Sequence, residues 1–156
     1  MSGTSAIHTV RRRIRFADSD PAGIVFYVEY FRMFNDLFES WIDEALGLDF
    51  AAEFLSEGRM FPLVHVEVDF NRPRRMGQML DLGLVLTRLG RSSIDYDILG
   101  AEGGTEILRG RFVTCMASKA TGRSIPIPDY IRAPMTEYLE ACRQARGPAA
   151  AGGDGR

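Results

Sequence analysis

Histidine and cysteine each occur only twice in the 156 residues, and each scarcity removes a class of chemistry. His8 and His65 have no neighbour at metal-ligand spacing, so no metal site is expected. Cys115 and Cys142 allow at most one disulfide, which is not the framework of a stapled secreted scaffold. Cys115 also sits among apolar residues of a strand-like run, where a buried, inert thiol is expected. The chain has no Gly-x-Ser-x-Gly elbow, no Gly-x-Gly-x-x-Gly and no phosphate loop ending Gly-Lys-Ser/Thr. Elbow-type serine hydrolysis and dinucleotide or P-loop chemistry are therefore set aside, and no cofactor is expected. No apolar run approaches membrane-spanning length, and the first residues lack the basic start and apolar stretch of a signal peptide. A net charge of −2 is too small to make nucleic acid or a membrane surface the main partner. The default expectation is a soluble cytoplasmic protein.

What remains is an ordinary globular composition, 46% hydrophobic and 26% charged, in a chain of one-domain length. Residues 1–7 read as a flexible leader, 8–146 as a single domain and 147–156 as a disordered Gly/Ala/Pro-rich tail. From 8 to 16 the period is two, with Val10, Ile14 and Phe16 on one face and Arg11, Arg13 and Arg15 on the other. Arg12 interrupts the apolar face. A helical period follows through Tyr27, Tyr30, Phe31, Phe34, Leu37, Phe38, Trp41, Ile42 and Ala45, with Gly47 as a stop. Residues 48–61 are mixed. Four strand-like runs follow at 63–70, 79–87, 92–99 and 106–118, separated by Gly- and Pro-bearing turns. A turn is expected at 119–123 and a short helix from about Pro134 toward Arg143. This order predicts an α+β fold: one long central helix wrapped by a curved antiparallel sheet of about five or six strands. Such a sheet has an edge to protect, which favours a homodimer or homotetramer.

The most informative stretch is Phe16-Ala-Asp-Ser-Asp-Pro-Ala-Gly-Ile-Val-Phe-Tyr27. Asp18 and Asp20 share a turn between strand and helix, too close together for a pair that straddles a sugar. The helix start carries no Ser, Thr, Asp or Asn to cap its first turn. A carboxylate beside open backbone N–H groups can attack a carbonyl carbon, or deliver water to it, while those donors hold the oxyanion. Asp20 is the candidate catalytic group, and the Tyr27 N–H the candidate oxyanion donor. Asn35, at the margin of the aromatic stripe, is placed to reach a pocket.

The run Phe16-Ala-Asp-Ser-Asp-Pro-Ala-Gly-Ile-Val-Phe-Tyr-x-x-Tyr30-Phe-Arg resembles the signature of the 4-hydroxybenzoyl-CoA thioesterase family of hot-dog proteins. The likeness continues through Phe61-Pro62, Val68-Asp-Phe-x-x-Pro73, Gly77, Gly90-Arg-Ser-Ser93 and Ile127-Pro-Asp-Tyr130. It implies a hot-dog fold and hydrolysis of an acyl-CoA thioester at the interface of a homodimer or homotetramer. It makes Asp20 the nucleophile or general base and the Tyr27 N–H the carbonyl-polarising donor. In a related subgroup the Tyr27 position is histidine, so the resemblance favours aryl-CoA, such as 4-hydroxybenzoyl- or benzoyl-CoA, over short-chain acyl-CoA. Phe26, Asn35 and Phe61 are the implied substrate contacts. The 4-hydroxybenzoyl enzymes carry aspartate where this chain has Asn35. Arg91 and Arg123 match basic residues at the nucleotide end, where a lysine expected after Arg91 is Ser92. The competing expectations are a short-chain or fatty acyl-CoA thioesterase of the same fold, and a non-catalytic subunit that binds acyl groups or a protein partner.

Overall fold

Alternation builds the sheet and aromatic periodicity builds the helix it wraps. The structure, a computed structural model, describes residues 6–147. Residues 1–5 and 148–156, most of the expected leader and tail, lie outside the described residues. In chain order the elements are β1 (His8–Arg13), α1 (Tyr27–Ser40), α2 (Phe50–Leu55), β2 (Arg59–Met60), β3 (Leu63–Phe70), β4 (Met79–Leu89), β5 (Ser93–Glu102), β6 (Thr105–Cys115), β7 (Ala117–Ser118) and α3 (Asp129–Arg146). Five strands form one antiparallel sheet in the order β1-β4-β5-β6-β3, and β2 pairs with β7 beside it. No helix among the described residues is long and apolar enough to cross a membrane.

The inner face of the sheet carries Leu80, Leu82, Leu84 and Leu86 from β4, Ile94, Tyr96 and Ile98 from β5, and Phe112 from β6, all buried. Against them α1 buries Tyr30, Met33, Phe34, Leu37 and Phe38, and continues through a π-helical turn, Trp41–Ala45. Rings lock the two layers together: Phe34 lies 5.3 Å from Phe112, and Phe38 lies 5.3 Å from Tyr96. The stripe differs from expectation at Tyr27, which is 62% exposed, and at Phe31, which sits on its flank.

Several boundaries move for physical reasons. β1 stops at Arg13 because the chain enters a 3₁₀ turn, Phe16–Asp18, which leaves Phe16 82% exposed rather than inward. β5 runs past Gly100 to Glu102, because the reversal is made by Gly103 and Gly104 at φ 55° and 80°, a conformation suited to a two-residue hairpin. The run at 106–118 splits at Met116, and its last residues join the small sheet. Within 48–61 a helix forms, its first turn capped by Asp49 on the Ala52 N–H at 2.8 Å.

The closing helix also starts earlier than expected and enfolds Pro134. Its apolar face, Ile131, Met135, Tyr138, Leu139 and Cys142, is buried, and that burial outweighs the hydrogen bond a proline cannot donate. Pro134→Ala is expected to stabilise the fold by about 1 kcal/mol, since the restored bond exceeds the proline's restriction of the unfolded chain. A denaturant midpoint measures it.

Candidate active site

The turn after β1 is built from its own backbone. Ser19 and Val25 face each other in an antiparallel bridge, and Asp20 N–H donates to the Ile24 carbonyl at 2.9 Å. Between them a β-turn closes with Gly23 N–H on the Asp20 carbonyl at 2.9 Å. Pro21 takes the second turn position, for which its fixed φ is suited, and Gly23 follows at φ 76°. The loop is docked onto the β3–β4 connection: Val25 N–H donates to the Arg74 carbonyl at 2.9 Å, and Ile24 bridges Arg75. Arg74 is itself paired with Glu102, so the arginines at 72–75 are partly structural rather than a free basic patch.

Asp20 is half-buried at the start of this turn. One carboxylate oxygen, Oδ1, accepts the Ala22 N–H at 2.8 Å, which fixes the side chain. Its Oδ2 has no hydrogen bond among the described residues and is free to act. Phe26 is the N-cap residue of α1 and offers no side-chain cap, so the first-turn donors of Tyr27 and Val28 meet no acceptor among the described residues. The bridge at Ser19 and Val25 therefore places a fixed carboxylate and an open helix N-terminus on the two limbs of one hairpin. The aligned peptide dipoles make that terminus a site for developing negative charge.

Asn35 lies eight residues beyond Tyr27, about 12 Å along the helix at the usual rise per residue. There it borders a cavity of about 70 Å³ lined by Phe31, Phe34, Phe38, Phe61, Leu63, Tyr96, Phe112 and Thr114. The cavity ends on a buried polar pair, Tyr96 Oη and Thr114 Oγ1 at 3.1 Å. Burial pushes the Tyr96 phenol up to about 12, so it stays protonated and able to donate. Phe61 is held in the wall by Phe38, Phe50 and Phe54, with ring centroids 5.9, 5.7 and 5.9 Å away. Arg91 and Arg123 are exposed on adjacent segments: Ile127 N–H donates to the Arg91 carbonyl at 2.9 Å, and Ser118 N–H to the Arg123 carbonyl at 2.9 Å. Phe26 is 42% exposed, edge-on to Tyr27 at 5.1 Å.

Sequence reasoning missed the Tyr96–Thr114 floor and the α2 rings behind Phe61. The signal for the rings was present in Phe50 and Phe54, one helical turn apart. Asp18 is not a second catalytic carboxylate: it is 5% exposed and ion-paired with Arg12. A larger cavity, about 400 Å³, lies on the opposite flank of α1 beside β1. Part of its charged lining is paired, with Arg11 on Asp81 and Arg12 on Asp18 and Asp36.

With that geometry in place, residues 14–135 match the thioesterase-like superfamily. A 1,4-dihydroxy-2-naphthoyl-CoA hydrolase from Synechococcus elongatus is 30% identical over 129 residues, covering 81% of this chain and 93% of the relative. The crystal structure of a 1,4-dihydroxy-2-naphthoyl-CoA thioesterase from Synechocystis superposes with a TM-score of 0.71 at 24% identity, covering 85% of this chain and 95% of that one. A gentisyl-coenzyme A thioesterase superposes with a TM-score of 0.73 at 24% identity, covering 81% and 98%. The structural likenesses establish the hot-dog fold.

Proposed function

The chain belongs to the thioesterase-like superfamily, and from that membership we propose that it hydrolyses an aryl-CoA thioester to the aryl acid and CoA. The observation that supports this reading is the hairpin that carries Asp20, whose Oδ2 has no hydrogen bond among the described residues, and the open N-terminus of α1 on its two limbs, with an aromatic cavity further along that helix. The thioester carbonyl oxygen takes the Tyr27 N–H. Asp20 then attacks the carbonyl carbon to form a mixed anhydride, or removes a proton from an attacking water. Either path passes through an oxyanion held at the helix start, whose collapse breaks the C–S bond and expels the CoA thiolate; on the first path water then hydrolyses the anhydride, releasing the aryl acid and restoring Asp20. The N-terminal end of α1 stabilises the charge as it forms.

The cavity supports an aryl group over other acyl chains. An acetyl group makes little use of the Phe31, Phe34, Phe38 and Phe61 rings that line the cavity. A long alkyl chain runs into the Tyr96–Thr114 floor. Asn35 and that floor both offer hydrogen-bonding groups to a ring hydroxyl, in keeping with the hydroxylated aromatic acids in the names of the relatives. Within this reading benzoyl- and 4-hydroxybenzoyl-CoA are the first substrates to try. Arg91 and Arg123 face the CoA phosphates, and the enzyme works in the cytoplasm.

The working unit in this reading is a homodimer or a homotetramer. β3 is an edge strand whose Leu63, Val64, Val66 and Phe70 are all exposed, at 47%, 59%, 36% and 45%. An edge strand of eight residues that exposes these four apolar side chains is a pairing surface unless something covers it. A second copy in β3-to-β3 contact covers it and walls the cavity at Leu63. The test is thiol release from benzoyl-, 4-hydroxybenzoyl-, acetyl- and palmitoyl-CoA. The aryl thioesters are expected to lead in kcat/KM, and a lead for acetyl- or palmitoyl-CoA overturns the assignment. Phe61→Ala should raise KM for the best aryl thioester by about tenfold, with kcat changed less, because it removes ring contact common to ground and transition states.

A further inference from the structure

Arg12 is the residue that breaks the apolar face of β1. A charge on the inward face of a strand conflicts with the local pattern, and such conflicts cluster at functional sites. The structure gives the charge a partner. Arg12 Nη2 lies 3.1 Å from Asp18 Oδ1, and the Asp18 side chain is almost wholly buried. The other guanidinium nitrogen, Nη1, reaches exposed Asp36 at 3.4 Å, while Arg12 Nε is buried without a partner.

Asp18 connects to both halves of the site. Its Oδ2 accepts the Arg15 N–H at 2.7 Å, fixing the start of the 3₁₀ turn. Its backbone carbonyl accepts the Phe26 N–H at 2.9 Å. Phe26 immediately precedes the oxyanion donor Tyr27, and Asp20 lies two residues after Asp18. One residue thus grips both limbs of the hairpin where they meet, and Arg12 moors it to β1. A buried ion pair is a poor way to gain stability, since apolar replacement is often neutral or better. What it supplies is a fixed register.

We infer that Arg12 and Asp18 form a positioning pair that holds the Asp20 carboxylate and the Tyr27 N–H in catalytic register. This rests on the assignment of Asp20 and Tyr27 above. Neither residue lines the aromatic cavity. The pair sets where the attacking oxygen and the oxyanion donor stand relative to one another, and displacements of about 1 Å there can cost on the order of 100-fold in rate.

The test uses the full chain and the best thioester of the panel. Asp18→Asn keeps an acceptor for Arg15 but removes the charge facing Arg12. Adding Arg12→Met removes the stranded cation. The double variant should regain the thermal midpoint lost by Asp18→Asn while its kcat stays about 10- to 100-fold below wild type and KM moves by less than about threefold. Asp36→Asn, which removes only the solvent-side partner, should leave kcat unchanged. A folded double variant with kcat within about threefold of wild type overturns the inference. Should the Asp18 variants fail to fold, Arg12→Lys carries the same prediction, since it keeps a charge but loses the fork. Its kcat should fall by about tenfold, and wild-type kcat overturns the inference. Amide hydrogen exchange reads the pair without activity. Exchange at Phe26 N–H should quicken in the double variant, and unchanged protection there counts against the pair. If the wild-type protein hydrolyses no thioester, the functional reading falls and the exchange measurement alone decides the positioning role.

Discussion

Asp20→Asn lowers kcat by on the order of 10³-fold or more while KM shifts by less than about threefold. The substitution is nearly isosteric. Its amide oxygen can still accept the Ala22 N–H that Asp20 takes at 2.8 Å, so the turn keeps its shape. What is lost is the carboxylate, which in the proposed mechanism is the nucleophile or the general base. A 10³-fold loss corresponds to about 4 kcal/mol of transition-state stabilisation. Binding is spared because the ring contacts with Phe61 and Phe38, and the Tyr27 N–H, lie elsewhere. Thiol release under saturating aryl-CoA measures the effect. Turnover within about tenfold of wild type would mean that another group performs the attack.

Val64→Lys combined with Val66→Lys is expected to split the proposed dimer into monomers and to lower kcat/KM by at least about 100-fold. Both residues are exposed on β3, at 59% and 36%, so the fold has little to lose from the change. Two lysines on an open edge repel the same edge of a second copy and solvate it. The activity falls because the single chain encloses too little space. Its aromatic cavity is about 70 Å³. A dry apolar cavity able to hold one benzene is about 150 Å³. In the proposed dimer a second subunit supplies the remaining wall. Light scattering after size exclusion reads the mass, and circular dichroism reads the fold. A variant that stays dimeric refutes the β3 interface, and a monomer with full activity refutes the shared site.

The fold was open to sequence reading wherever periodicity was strong. Leu80, Leu82, Leu84 and Leu86 alternate without interruption, and Phe34, Leu37, Phe38, Trp41 and Ile42 recur at helical spacing, so those faces are buried as expected. The misreadings fall where a tertiary contact overrides a local rule. Proline at 134 suggested a helix start, but burial of Ile131 and Met135 carries the helix through it. The whole run 100–104 was expected to be a separator, but Gly103 and Gly104 alone make the turn and Gly100 stays in β5. Phe16 was expected inward because alternation says nothing about where a strand yields to a 3₁₀ turn. At the candidate site the absent cap of α1 was visible in the letters. The Arg12–Asp18 pair was visible only as an interruption, because nothing in one sequence says that Arg12 will meet a buried carboxylate six residues on.

The most direct measurement is a crystal structure of Asp20→Asn with an aryl-CoA thioester bound. The thioester carbonyl oxygen should stand at hydrogen-bond distance, about 2.8–3.1 Å, from the Tyr27 nitrogen, with the residue-20 side chain beside the carbonyl carbon. The ring should lie between Asn35 and Phe61 and contact β3 of a second copy. A thioester seated in the arginine-lined cavity between β1 and α1, or one whose carbonyl points away from the start of α1, would contradict the account.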